Sequence, residues 1–134
     1  MLDDLLASAE AVNRACAAAP DGASALEALI RAYVGYFLPR LDAFRLTTLL
    51  PDTAADLKSA PEMLARVRPI NDLLYGEAER KLAAEAHGRR RDRKAPRRLV
   101  FTAHLAAMGY LTMRAIADRT NDPLIHSDAE LVDE

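Results

Sequence analysis

The stretch LVFTAHLAAMGYLTM, residues 99–113, decides the fold class. It carries no formal charge and is apolar almost all round, so a helix built from it must be enclosed by protein or by lipid. Its fifteen residues fall short of the span of roughly 18–20 that crosses a bilayer, and Thr102, His104 and Thr112 interrupt it. The segment is therefore expected to be the central helix of an all-α bundle. Other helices would pack on several of its sides, and no membrane contact is expected.

The flanking sequence supplies that packing. Over residues 2–18, Leu2, Leu5, Leu6, Ala9, Val12 and Cys16 recur at helical spacing, and Pro20-Asp21-Gly22 ends the run. Ser24 and Glu27 have capping-box spacing and predict the start of a second helix, with Leu26, Leu29, Ile30, Tyr33, Val34 and Phe37 as its stripe. Pro39 breaks it. A short helix with Leu41, Phe44, Leu49 and Leu50 is expected to stop at Pro51. Ser59 and Glu62 form a second box ahead of a long helix over 61–87, with Leu64, Val67, Ile70 or Asn71, Leu74, Ala78 and Leu82 inward. Pro69 within that stripe predicts a kink near Val67. The basic run 89–98 (RRRDRKAPRR) reads as the loop into the central helix, with Pro96 near its start. Asn121-Asp122-Pro123 ends that helix, and Ser127 with Glu130 announces one more. This gives a helical bundle of five to seven helices in a single domain, 1–134. A terminal helix of under two turns is not stable alone, so the chain is expected to be a piece of a longer helical protein, cut within helices at both ends.

Composition narrows the function. With 51% apolar residues and only 5 glycines, the chain can build a core. A net charge of −2 gives it no electrostatic case for nucleic acid. Asp3 and Asp4 stand where a secretory leader needs basic residues, which predicts a cytoplasmic location. The lone Cys16 cannot form an internal disulfide. His87, His104 and His126 have no metal-ligand spacing, and there is neither a glycine-rich phosphate loop nor a Cys pair for zinc. No cofactor, metal or catalytic residue is expected, and an enzyme is the weakest reading.

The order of elements resembles the regulatory domain of TetR-type transcriptional repressors. The resemblance rests on ALEALIRAYVGYFLPRLDAFRL (residues 25–46), on HLAAMGYLTMRAIAD with its mid-helix glycine (104–118), and on IHSDAELVDE (125–134). It implies a helical domain that binds a small lipophilic effector and forms a homodimer through its last two helices. DNA would be bound only through a helix-turn-helix domain, which is not present in this chain. The final dimerisation helix is nearly absent as well.

His104 is the sharpest candidate. It shares a helix face with Val100, Ala107, Met108, Leu111 and Ala115. It reads either as a polar anchor in an effector pocket or as a core histidine bonded to a neighbouring group. Asn71 either satisfies carbonyls freed by the Pro69 kink or points into the same pocket. The expected lining is Tyr33, Phe37 and Phe44, then Leu64, Val67, Asn71 and Leu74 of the long helix, then His104, Met108 and Leu111 of the central one. Gly109 costs roughly 1 kcal/mol relative to alanine in a helix, which calls for the close approach of another helix. Phe101, Leu105, Gly109, Thr112 and Ile116 are the expected dimer contact. Leu99, Ala103, Ala106, Tyr110 and Met113 are assigned to packing inside the subunit. The alternative to a sensor is a stand-alone helical dimerisation module that binds no ligand.

Overall fold

In a computed structural model, which describes residues 2–47, 54–86 and 94–120, the chain is a bundle of four long helices with no strand among those residues. They are α1 (Leu2–Ala18), α2 (Gly22–Phe37), α4 (Ala54–Glu85) and α5 (Ala95–Thr120). A 3₁₀ turn (Leu38–Arg40) and the short α3 (Leu41–Thr47) follow α2. The expected terminal helix at Ser127–Glu130, the residues Leu49 and Leu50, and most of the basic run lie outside the described residues.

Packing around the bundle runs α1, α2, α5, α4, and α2 also reaches across to α4. The centre of the fold is therefore α2, and the expectation that residues 99–113 would be enclosed on several sides is corrected. The reason lies in the distribution of charge. Between Ala25 and Leu38, α2 and its continuation hold only Glu27 and Arg31, which pair with each other at 2.9 Å on the exposed side. The rest of α2 is free to face α1, α4 and α5, and it buries Ala25, Leu29, Tyr33, Val34 and Phe37. In α5 only one stripe is buried, formed by Val100, Ala103, Ala107, Leu111 and Ala115, together with Ala117.

Helix starts also differ from the expected ones. The N-cap of α2 is Asp21, whose carboxylate accepts the Ser24 N–H at 2.7 Å, so Ser24 lies inside the helix and the Ser24–Glu27 box does not form the cap. Likewise α4 begins at Ala54 and runs through Ser59, Pro61 and Pro69 as one continuous helix. A proline removes one backbone donor, and a 32-residue helix packed at its far end absorbs that loss. Residues 61–69 of α4 are mostly exposed, and its second half, with Leu74, Tyr75 and Ala78, joins the core.

That second half also holds the α1–α2 corner. The Lys81 ammonium donates to the carbonyls of Cys16 (2.7 Å), Ala17 (2.9 Å) and Ala19, acceptors in the last turn of α1 and just beyond it; the Cys16 carbonyl also accepts the Ala19 N–H at 3.2 Å. One turn on, Glu85 accepts the Gly22 N–H at 2.6 Å, a free donor at the start of α2. A Cβ at Gly22 would fall 2.6 Å from Leu82 Cδ2 and 2.7 Å from Glu85 Oε2, so any larger residue there would make both side chains shift.

Candidate functional site

The polar centre of the bundle is built where α2, α4 and α5 meet. His104 of α5 lies against Tyr33 of α2, with ring centroids 4.7 Å apart and edge-on, and against Tyr75 of α4 at 5.4 Å. The Tyr75 hydroxyl and His104 Nδ1 share a hydrogen bond of 2.5 Å. His104 Nε2 is inaccessible and meets no partner among the described residues. Above the other side of Tyr75 stands the Arg97 guanidinium, 4.7 Å from the ring centre. It is held in place by Glu79 (2.8 Å) and Asp72 (2.9 Å) of α4. Tyr33 continues the cluster to Phe37 (5.0 Å), and Phe37 to Phe44 (5.7 Å).

Burial sets the protonation states. Desolvation holds the His104 imidazole down to a pKa of about 4, so it is neutral near pH 7. Burial raises the Tyr33 and Tyr75 phenols, although Arg97 opposes this at Tyr75. Cys16, which donates to the Ala25 carbonyl at 3.3 Å, is pushed up to about 11 by burial and is not a thiolate.

Of the ten expected lining residues, Tyr33, Phe37, Phe44, Leu74 and Leu111 are buried, and His104 and Met108 are partly buried beside them. Val67 and Asn71 are only half-buried, and Leu64 is 63% exposed. Leu64, Val67 and Asn71 of α4 therefore do not join the aromatic cluster. Tyr75 and Arg97 were not singled out from the sequence. The signal for Tyr75 was present: Asn71, Tyr75, Ala78 and Leu82 recur at spacings of four, three and four, a register parallel to the one through Leu74. Arg97 falls in the basic run expected to be the loop into the central helix, but it lies within the first turns of α5.

The other side of α5 is open. Phe101 (49%), Leu105 (49%) and Ile116 (48%) are exposed, as are Thr112 and Gly109 between them. A Cβ built on Gly109 meets nothing within 4 Å, so no helix among the described residues approaches it. The assignment of Leu99 and Met113 to internal packing is corrected, since they are 51% and 55% exposed, and Ala106 is exposed as well. Of that set only Ala103 is buried, with Tyr110 partly so. By length and composition α5 is also apolar enough to cross a bilayer, a test that the core helix of a soluble protein passes as well.

A shallow groove of about 460 Å³ lies elsewhere, bordered by Leu38, Pro39, Leu41, Asp42, Arg45, Asp118 and Arg119, none of them an expected lining residue. Among the described residues no group of His, Cys, Asp and Glu is placed to hold a metal ion. No protein-family model, curated protein or solved structure matches the chain.

Proposed function

We propose that this chain is the effector-binding and dimerisation region of a TetR-like cytoplasmic regulator. Two copies pair through the outer face of α5, and a small lipophilic molecule is held where α4 and α5 meet α2. DNA contact belongs to a helix-turn-helix outside this chain. The observation that carries the reading is the open face of α5, where Phe101, Leu105 and Ile116 flank a glycine that no contact among the described residues requires. Exposed apolar surface of this kind marks an interaction site, and a mid-helix glycine lets a second backbone come close. Effector binding would change the regulator only if the molecule favoured one of two dimer geometries.

Sedimentation equilibrium tests the pairing. The chain is expected to be a dimer at micromolar concentration, and Leu105→Glu should raise the dissociation constant at least about tenfold by burying an unpaired carboxylate. A wild-type monomer, or a dimer indifferent to Leu105→Glu, would end this assignment. Partition of the chain into lipid vesicles would move the α5 face to a membrane role instead.

The alternative, a helical dimerisation module without a ligand, is favoured by one feature: Tyr33, His104 and Tyr75 fill the polar centre with one another. Thermal shifts with lipophilic compounds, measured in wild type and Met108→Trp, separate the two. The sensor reading requires shifts that the tryptophan abolishes, whereas the module gives none.

A further inference from the structure

Resting on the effector-binding reading, we infer that His104 selects a neutral lipophile whose carbonyl oxygen accepts its Nε2–H, and rejects carboxylates. The tautomer follows from the hydrogen bond at Nδ1. The Tyr75 hydroxyl has one proton and, among the described residues, no acceptor other than His104 Nδ1. A phenol is a stronger donor than acceptor, and the Arg97 cation over the ring strengthens it further. Tyr75 therefore donates to Nδ1, which places the imidazole proton on Nε2. That N–H is buried without a partner, a costly arrangement that an acceptor oxygen relieves.

The surroundings choose the kind of acceptor. Arg97 is matched by two carboxylates, Asp72 and Glu79, so the charges beside the cluster sum to −1 and disfavour an anion. Tyr33 packs edge-on against His104 and belongs with Ala107 and Leu111 to one buried apolar cluster, whose side chains offer a buried carboxylate no counter-charge. Met108 lies one turn beyond His104 on the same face and is only partly buried. Its flexible thioether can rearrange to admit an alkyl chain.

The experiment uses the full chain and three probes of matched length: 2-undecanone, undecane and decanoate. Long-range proton–nitrogen spectra of the histidine rings first identify the tautomer. Nε2–H is expected for His104, and an Nδ1–H tautomer overturns the inference. The ketone should then move the Nε2–H proton downfield and bind about tenfold more tightly than undecane, with decanoate weaker than either. His104→Phe should erase the preference for the ketone while undecane still binds. An upfield-shifted Nε2–H, unaffected by any probe, would show the Tyr33 ring face receiving it and would also defeat the inference. If all three probes bind alike, the effector-binding reading stands and this selectivity fails. If none binds, both fall.

Discussion

Acidification from pH 7 toward pH 4 is expected to remove about 3 kcal/mol of stability through His104 alone. Buried in the bundle, the imidazole has a pKa of about 4 against an ordinary value of 6.5, because desolvation disfavours its charged form. Unfolding lets it bind a proton anywhere between those two values. The unfolded state therefore gains protons first as the pH drops, and stability is complete above about pH 6.5 and lost progressively down to pH 4. Urea denaturation at pH 7, 6 and 5 measures the slope before most carboxylates titrate. His104→Gln should flatten it over that range, whatever the variant's absolute stability. A wild-type chain equally stable at pH 7 and pH 5 would mean that His104 is solvated, and the polar centre would have to be redrawn.

The largest single-residue effect is expected at Phe37. Its ring is fully buried at the junction of α2 and the 3₁₀ turn, and it touches Tyr33, Tyr36 and Phe44 through ring contacts of 4.9–5.7 Å. Truncation to alanine removes the transfer free energy of the ring. It also leaves a void that three other rings cannot close without abandoning their own contacts. Phe37→Ala should therefore cost about 3–5 kcal/mol, a large part of the stability of a domain of this size. Leu64→Ala, on the exposed half of α4, should change stability by less than about 0.5 kcal/mol. Denaturant midpoints at matched protein concentration compare them. A Phe37→Ala loss below about 1 kcal/mol would mean that the aromatic row is not a core element.

The contrast between these two residues shows what the sequence could and could not disclose. Spacing alone identified the inward stripe of α2 and the face of α5 through Val100, Ala107 and Leu111; in α1 it held for Ala9, Val12 and Cys16 but not for Leu6, which is 41% exposed. It could not rank the helices by enclosure. Residues 99–113 are apolar on every side, and periodicity does not distinguish a face covered by the same chain from one left for a partner. Leu64 fits the same stripe as Leu74, yet Arg66, Arg68 and Pro69 surround it, and residues 61–69 are mostly exposed whereas Leu74, Tyr75 and Ala78 are buried. Tyr75 stayed hidden because two overlapping registers run along α4. Its importance comes from His104, which lies 29 positions away. Arg97 was concealed by its company in a basic run, whereas its role is set by Asp72 and Glu79 on another helix.

The corner between α1 and α2 has a consequence for the order of assembly. Its first turn of backbone is local, but the groups that finish it, Lys81 and Glu85, arrive from more than sixty positions downstream. The first two helices thus form a hairpin whose hinge stays unfastened until the later chain has docked. Contacts of such long sequence separation are late events, so Lys81→Met should accelerate unfolding and leave the refolding rate nearly unchanged in stopped-flow measurements. A slower refolding limb would place this clasp in the nucleus instead, with the downstream helix organising the upstream pair from the outset.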